Sequence, residues 1–152
     1  MFLPITPVPA AIAGPAKAQS RSPLGNARIL LVEDEELVAR TVTVALERAG
    51  HSVHPEVDGA AAWHHLQERF ADYDLLLLDM NLPGLNGLEL TRRIRASHRY
   101  SGPIVIMSGR IDADEMEQLT AAEVTCVLNK PFDIAQLQAA VRHSLNPPST
   151  GG

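Results

Sequence analysis

The sequence has 152 residues, of which 45% are hydrophobic and 4% aromatic, and a formal net charge of −5. That length suits one domain with an aliphatic core, and the acidic balance disfavours nucleic acid as a direct partner, because like charges repel. No apolar stretch is long enough to span a bilayer, and the single cysteine, Cys126, excludes an internal disulfide and is typical of a reducing compartment.

The two ends of the chain differ in composition from its middle. The first 20 residues are apolar enough to suggest a signal peptide, but no basic residue precedes Lys17 and four prolines interrupt the stretch. Residues 147–152 are Pro, Ser, Thr and Gly only, a composition typical of disorder. We therefore predict a disordered leader over 1–26, a folded domain over 27–146, a disordered tail over 147–152 and a cytoplasmic location.

Short apolar runs alternate with helical patterns through the folded segment. The run 74–79 contains four consecutive leucines, which is typical of a strand covered on both faces. Five strands are predicted at 28–33, 52–57, 74–79, 103–108 and 124–128, and five helices at 36–49, 58–70, 86–97, after 112 and at 133–145. This alternation predicts an α/β fold, a doubly wound five-stranded parallel sheet of order 2-1-3-4-5 with five helices.

Residues that favour helix ends mark the boundaries of these helices. Gly50 follows the first helix, where a C-terminal glycine is common. The residues that we expect to be N-caps are Asp58, Asn86, Asp112 and Asp133. The last three of these open sequences typical of a capping box.

Polar side chains stand at the carboxyl ends of the predicted strands. They are Glu33 and Asp34 after the first strand, Asp79 at the end of the third, Ser108 at the end of the fourth and Lys130 after the fifth. Because these ends meet at one edge of a parallel sheet, we expect the side chains to converge in one crevice. Three close carboxylates need a compensating cation, and ligands that are all oxygen favour Mg²⁺. The set predicts phosphoryl chemistry with a carboxylate nucleophile.

Each of these residues also has an ordinary structural explanation. Asp79 alone is most simply a helix cap or a solvated loop residue, and Ser108 alone a turn residue. Glu33 and Asp34 could form the negative first turn of a helix. Their shared position at one end of neighbouring strands is what favours a functional site.

With these motifs in place, residues 28–145 resemble a bacterial response-regulator receiver domain. The matching segments are Ile29–Glu35 (ILLVEDE), Asp79–Gly84 (DMNLPG) with Asn86-Gly87, Val105–Gly109 (VIMSG) and Lys130–Phe132 (KPF). Their order and separation make the resemblance specific, and it covers nearly all of the predicted folded segment. It implies a flavodoxin-like receiver fold.

The resemblance also implies a role for each acidic residue of the predicted crevice. Asp79 would be the phospho-acceptor. Glu33 and Asp34 would hold Mg²⁺, with Asp34 the direct ligand, while Asp79 and the backbone carbonyl of Asn81 would complete the protein ligands.

Four further features follow from the same resemblance. Lys130 and Ser108 would contact the acyl phosphate, and Gly109 would leave the phosphoryl group accessible. The peptide bond before Pro131 would be cis, a conformation that is essentially confined to bonds before proline. One departure concerns the switch, because receivers carry Tyr or Phe where this chain has Val127. A valine has no ring to rotate, so the usual coupling from the serine to an aromatic ring is in doubt.

The implied function is that of a stand-alone receiver, because no second domain follows the last predicted helix. It would take a phosphoryl group from a histidine kinase or phosphotransfer protein, signal to an unknown downstream protein without nucleic acid or membrane contact, and dephosphorylate slowly without being a dedicated enzyme. The alternative is a phosphorylation-independent interaction module of the same fold, which Val127 favours.

Two enzyme classes are less compatible with the residues present. A phosphatase with an Asp nucleophile needs an Asp-x-Asp pair after its first strand, whereas Asp79 follows the third strand and precedes Met80-Asn81. A flavin-binding relative needs a loop rich in Ser, Thr and Gly after the first strand, where this chain has the acidic run 33–36.

Two other features are predicted to be structural, and a third has two possible interpretations. His64 and His65 are adjacent on a helix, so their side chains point about 100° apart, and we predict that both lie on the surface. We expect Cys126 to be a small buried hydrophobic residue. The acidic run 112–117 could be a solvated helix face or could select partners by repulsion.

Overall fold

The computed structural model of the protein describes residues 26–146, so the predicted tail and all but the last residue of the predicted leader lie outside the described residues. The strands are β1 (Arg28–Val32), β2 (Ser52–Glu56), β3 (Leu75–Asp79), β4 (Ile104–Ser108) and β5 (Cys126–Asn129). The helices are α1 (Glu36–Arg48), α2 (Gly59–Leu66), α3 (Gly87–Ser97), α4 (Ala113–Ala121) and α5 (Ile134–Leu145). None of the helices in this part of the chain is long and apolar enough to cross a membrane.

The five strands form one parallel sheet in the order β2-β1-β3-β4-β5. In the registers of the central strands, Val32 lies opposite Leu78, and Asp79 lies opposite Met107. At the far edge Ser108 lies opposite Asn129. The predicted fold class and strand order are therefore confirmed, and the carboxyl ends of β1, β3, β4 and β5 meet at one edge.

Helices cover both faces of the sheet, so the core has two layers separated by the strands. On β1, for example, Leu30 and Val32 face one layer, while Ile29 and Leu31 face the other. The first layer is closed by residues of α2, α3 and α4, and the second by residues of α1 and α5. The three central strands are buried on both faces, which explains why their sequences lack polar alternation.

Most of the predicted helix ends are confirmed. Asp58, Asp112 and Asp133 each accept a hydrogen bond from a backbone N–H in the first turn, and the last two form complete capping boxes. Asn86 accepts from the Glu89 N–H at 2.9 Å, but the reciprocal bond of the predicted capping box is absent from this described turn. Gly50 follows α1 with φ of +101°.

The second helix is shorter than predicted. It ends at Leu66 rather than Phe70, and a 3₁₀ turn follows at Phe70–Asp72. The Leu66 carbonyl accepts from the Arg69 N–H at 2.8 Å, and the Gln67 carbonyl accepts from the Arg99 guanidinium. These contacts satisfy carbonyl groups that a continued helix would use, and they turn the buried Phe70 into the core.

The fifth strand begins later than predicted, at Cys126 instead of Val124. Glu123 adopts a left-handed conformation with φ of +64°, and the Val124 N–H bonds the Leu119 carbonyl at 3.1 Å. Together with the bond from the Glu123 N–H to the Thr120 carbonyl, these contacts form a Schellman motif. Residues 123–124 therefore close α4 and do not begin the strand.

Replacing Glu123 with glycine is expected to stabilise the protein. Glycine adopts a left-handed conformation without strain, but it also increases the conformational entropy of the unfolded chain. The net effect of Glu123→Gly should be to raise the free energy of unfolding by about 0.5–1 kcal/mol. Urea unfolding measures this change. In the matched control, Glu117→Gly inside α4, the same chemical change should cost about 1 kcal/mol, and equal effects at both positions would contradict the prediction.

Candidate functional site

The polar residues predicted to converge lie at the carboxyl edge of the sheet. Glu33 directly follows β1, Asp79 ends β3, Ser108 ends β4 and Lys130 directly follows β5. Glu33, Asp79 and Ser108 are buried, with 1%, 3% and 0% of their surface exposed. Buried polar groups need partners, and Lys130 together with backbone groups of the adjoining loops supplies them.

Lys130 is the positive centre of the site. Its Nζ lies 3.1 Å from Glu33 Oε1 and 3.4 Å from Asp79 Oδ2. Burial lowers the pKa of Lys130, but the hydrogen bond to Glu33 and the negative charge of Asp79 outweigh burial and hold that pKa above its ordinary value. The ammonium group therefore stays charged at neutral pH and bridges the two carboxylates.

One ammonium group does not balance the acidic charge around it. Carboxylate oxygens of Glu33, Asp34 and Asp79 all lie within 4.8 Å of one another. Burial is the main cause that raises the pKa of Glu33 from 4.5 to about 7, and the charge of Asp79 adds to it against hydrogen bonds from Glu35 N–H and Lys130. The cluster therefore favours binding of a further positive charge, either a proton or a cation.

Backbone groups orient the Asp79 carboxylate. Asp79 Oδ1 accepts a hydrogen bond from the Asn81 N–H at 3.2 Å, while Oδ2 faces Lys130. Asn81 is exposed and follows the buried Met80, whose N–H bonds the Met107 carbonyl at 2.8 Å. The β3–α3 loop thus fixes Asp79 on the rim of the sheet.

Ser108 is in the expected place but its hydroxyl group is engaged elsewhere. Ser108 Oγ lies 3.2 Å from the Arg110 carbonyl oxygen and 3.3 Å from the Arg110 nitrogen. The Ser108 carbonyl accepts from the Lys130 N–H at 2.7 Å, so the backbones of the two residues are joined. The hydroxyl group would have to rotate to reach a group bound at Asp79.

Two features implied by the resemblance are present. The Lys130–Pro131 peptide bond is cis. Gly109 lies beside open space, because a Cβ atom added there would have no atom within 4 Å. The rim next to Ser108 is therefore accessible.

Gly87 holds the start of α3 against the end of β3. Its N–H bonds the Met80 carbonyl at 3.0 Å. A Cβ atom on Gly87 would lie 2.5 Å from the Asp79 carbonyl oxygen and 2.9 Å from the Met80 Cα. Both are backbone atoms and cannot turn aside, so this close approach requires glycine.

Gly87→Ala is therefore expected to lower the free energy of unfolding by about 2–3 kcal/mol, because α3 must move away from β3. Urea unfolding in the presence of a chelator measures the loss. Gly109→Ala is the matched control and should change stability by less than about 0.5 kcal/mol. A Gly87→Ala protein as stable as the Gly109→Ala protein would show that the β3–α3 junction has room to relax.

The structure brings four predicted residues into contact or near contact, namely Glu33, Asp34, Asp79 and Lys130. One of the histidine predictions is wrong. His64 is exposed, but the side chain of His65 is only 18% exposed and stacks on His54. Sequence reasoning missed this pair, although the alternation of His54 and Glu56 on one face of β2 is a signal that could have drawn attention to it.

The chain resembles a known family and several known proteins. The family profile described as "Response regulator receiver domain" matches residues 29–142. The response regulator ArlR of Staphylococcus saprophyticus is 38% identical over 120 residues, which are 78% of this chain and 52% of that protein. The uncharacterized transcriptional regulatory protein YkoG of Bacillus subtilis is 35% identical over 124 residues, 80% of this chain and 52% of its own length. The chain thus spans about half the length of these curated relatives.

Solved structures give the same fold. The chemotaxis protein CheY4 of Vibrio cholerae superposes with a TM-score of 0.74 at 26% identity, over 79% of this chain and 99% of that one. The receiver domain of the Francisella response regulator 1452 superposes with a TM-score of 0.71 at 24% identity, over 79% and 97% of the two chains, which shows likeness of fold alone.

Proposed function

This chain belongs to the response-regulator receiver domain family of two-component signalling, and on that premise we propose that it accepts a phosphoryl group on Asp79 in a Mg²⁺-dependent reaction. The donor is a histidine kinase or a phosphotransfer protein, and the output is a contact with another protein. The observation that carries the proposal is the pairing of a buried carboxylate, Asp79, with Lys130 beside two further carboxylates.

The donor atoms of the pocket fit Mg²⁺. The described cluster offers carboxylate oxygens from Glu33, Asp34 and Asp79, the hard ligands that Mg²⁺ prefers. The raised pKa of Glu33 is compatible with the same assignment, because burial, its main cause, and the charge of Asp79 both disfavour an ionised carboxylate that a bound cation would stabilise. In the proposal these three residues and the Asn81 carbonyl hold the ion, which supplies positive charge near the phosphoryl oxygens.

In the proposed reaction an Asp79 carboxylate oxygen attacks the phosphorus atom. The bond from phosphorus to the donor's histidine nitrogen breaks as the new oxygen–phosphorus bond forms, and the electron pair remains on the imidazole. Lys130, now bound to Asp79 Oδ2 at 3.4 Å, would neutralise a phosphoryl oxygen. Ser108 Oγ would leave the Arg110 backbone and donate a hydrogen bond to another.

The cycle ends by hydrolysis. Water attacks the phosphorus atom, the bond to Asp79 breaks, and the carboxylate and inorganic phosphate are released. Because the phosphorylated form is proposed to carry the signal and to hydrolyse slowly, we propose that the chain is a signalling protein and not a dedicated enzyme. We place the cycle in the cytoplasm, which the single unpaired cysteine supports.

The acyl phosphate is proposed to shift an equilibrium between two conformations around the ends of β4 and β5 and the start of α4. In many receivers an aromatic ring would take part, but here the position is Val127, which packs partly buried against the core layer of α2, α3 and α4. Val127 is the observation that favours the second candidate function, an interaction module of this fold that works without phosphorylation.

The acidic charge supports a protein partner over nucleic acid as the direct contact. Residues 28–152 hold all 18 Asp and Glu residues and all but two of the 13 Lys and Arg residues. A surface with that excess of negative charge repels phosphate backbones. The downstream partner is therefore proposed to be a protein.

Mg²⁺ affinity is expected to fall as the pH is lowered. Because the pKa of Glu33 is about 7 in the metal-free protein, a proton competes with the ion below that pH, and the apparent affinity should be about tenfold weaker at pH 6 than at pH 8. Titration calorimetry at the two pH values measures the difference. In Glu33→Gln the difference should largely disappear, and a wild-type affinity that does not change with pH would contradict the prediction.

The test of the proposed function is intact-mass analysis after incubation with a small acyl-phosphate donor, with and without Mg²⁺, followed by peptide mapping. A single phosphoryl adduct that requires Mg²⁺ and maps to Asp79 is the expected result. A folded protein that binds Mg²⁺ but gains no adduct, either from this donor or from a kinase partner, would overturn the proposal and favour the phosphorylation-independent module.

A further inference from the structure

A second group of possible ligands lies on the α2 face of the edge strand β2, next to the acidic pocket, where the Glu33 N–H donates to the Glu56 carbonyl at 3.1 Å. His54 and Glu56 alternate on that face, and His65 reaches it from α2. Nitrogen or carboxylate atoms of the three residues all lie within 4.8 Å of one another. From this geometry we propose that His54, Glu56 and His65 bind a divalent transition ion of the Zn²⁺ class.

The distances between the side chains suit such an ion. Glu56 Oε2 lies 2.8 Å from His54 Nε2 and 3.9 Å from His65 Nδ1. Ligands about 2.1 Å from a tetrahedral ion are separated by roughly 3.4 Å, a value that lies between these two distances. Two imidazole nitrogens and a carboxylate are a ligand set that Zn²⁺ uses, with a fourth position open to water.

Tyr73 supplies the support that a metal-binding histidine needs. His65 Nε2 lies 2.6 Å from the Tyr73 hydroxyl oxygen. With the proton on Nε2, His65 donates to Tyr73 and turns the lone pair of Nδ1 toward Glu56. A fixed partner on the second ring nitrogen is the usual way in which proteins orient a histidine ligand.

The surroundings keep His65 in the form that binds metal. The side chains of His65 and Glu56 are only 18% and 20% exposed. Burial is the main cause that lowers the pKa of His65, and the nearby His54 adds to it while Glu56 opposes it. A neutral imidazole is the form of histidine that binds metal. With its proton on Nε2, His65 directs the unprotonated Nδ1 toward the Glu56 carboxylate.

Binding requires one rearrangement. The rings of His54 and His65 are stacked with their centroids 4.3 Å apart and their planes 5° from parallel. Because a ring nitrogen binds metal in the plane of its ring, an ion cannot lie in both planes at once. His54, the more exposed side chain at 44%, would rotate about its Cβ–Cγ bond, a torsion with a broad energy minimum, and would move its proton to Nδ1.

The test is titration of protein without a histidine tag with Zn²⁺ in the presence of excess Mg²⁺, which occupies the acidic pocket. One saturable site is expected in the wild type, and Co²⁺ should give the visible absorption of a four-coordinate ion. His54→Gln, His65→Gln and Glu56→Gln should each weaken Zn²⁺ binding by at least about 100-fold, and Tyr73→Phe by about tenfold.

His64→Gln is the matched control, because His64 is the exposed neighbour of His65 on the same helix; its affinity should equal that of the wild type. Zn²⁺ should also raise the thermal midpoint of the wild type and of His64→Gln, but not that of Glu56→Gln. Equal Zn²⁺ affinity in the wild type and in a His54→Gln/His65→Gln double variant would overturn the proposal, as would a wild type without a saturable site. If His65→Gln does not fold, the near-isosteric Glu56→Gln decides the question.

Discussion

Asp79→Asn is expected to abolish the phosphoryl adduct completely while leaving the protein folded. Asparagine has nearly the same shape but no carboxylate nucleophile. The substitution also removes one negative charge from the pocket, and Lys130 keeps its bond to Glu33 at 3.1 Å. Since the charge of Asp79 contributes to the raised pKa of Glu33, that pKa should fall toward its ordinary value in the variant.

The loss of the adduct can therefore be separated from any loss of fold. Urea unfolding in the presence of a chelator should show Asp79→Asn at least as stable as the wild type at pH 8. Asp72→Asn is the control, because Asp72 is half exposed and pairs only loosely with Arg69 at 3.8 Å; it should be phosphorylated normally. An adduct that persists in Asp79→Asn would place the acceptor on another carboxylate of the cluster.

Lys130→Met is expected to damage both stability and chemistry. Methionine retains much of the apolar stem, but Glu33 and Asp79 then face each other without the ammonium group that lies within 3.4 Å of both. Breaking such a buried pair costs about 3–5 kcal/mol. The rate of phosphorylation should fall roughly 100-fold or more, because a preorganised positive charge at the phosphoryl oxygens is lost.

The loss of stability in Lys130→Met should depend on pH in a definite direction. The pKa of Glu33 is already raised, so the folded protein holds that proton more tightly than the unfolded chain does, and folding becomes less favourable as the pH rises from 4.5 to about 7. Without Lys130 the pKa of Glu33 in the folded protein should rise further, so stability should continue to fall as the pH rises above 7. The variant should therefore lose most at pH 8 in a chelator and recover at pH 5.5 or when Mg²⁺ is added.

A double variant separates the effect of Lys130 on stability from its effect on phosphorylation. Glu33→Gln/Lys130→Met should regain most of the lost stability at pH 8, because the facing negative charges are gone, but it should not regain phosphorylation. Recovery of both properties together would mean that Lys130 acts only through the fold. No recovery of stability would mean that repulsion between Glu33 and Asp79 is not what destabilises Lys130→Met.

Much of the fold follows from local features of the sequence. Strands that are buried on both faces need apolar residues at every position, and Leu75–Leu78 satisfy this requirement in β3. Parallel strands require crossover helices, so alternation alone restricts the topology. Capping residues such as Asp112 and Asp133 then locate helix starts within a residue, because they satisfy backbone N–H groups that have no other partner.

The two misplaced boundaries depend on tertiary contacts that no local pattern contains. Val124 has the apolar character of a strand residue, but its N–H closes α4 because Glu123 is held in a left-handed conformation and its carbonyl binds Arg95 at 2.8 Å. The end of α2 is likewise fixed by Arg99, 32 residues away from the carbonyl that it binds. Both boundaries therefore involve contacts with side chains that are distant in the sequence.

The residues that form the site could be predicted from the sequence, but their burial and charge could not. The topology alone brings Glu33, Asp79 and Lys130 to one edge of the sheet. Whether a carboxylate there is buried, as Glu33 is, depends on how the neighbouring loops cover it. The direction of the Ser108 hydroxyl group, set by the Arg110 backbone, also depends on a loop conformation that residue types do not specify.

The ion pair between Glu33 and Lys130 joins residues 97 positions apart. A ribosome makes the first acidic residues of the pocket early, yet the cation that balances them arrives only after β5 has been synthesised and can dock beside β4. A nascent or truncated chain that stops before Lys130 would carry Asp79 but lack the charge that the proposed transfer needs. Under the proposed function, the capacity to accept a phosphoryl group is therefore acquired only after β5 has been made, and copies of the chain that stop before Lys130 should gain no phosphoryl adduct.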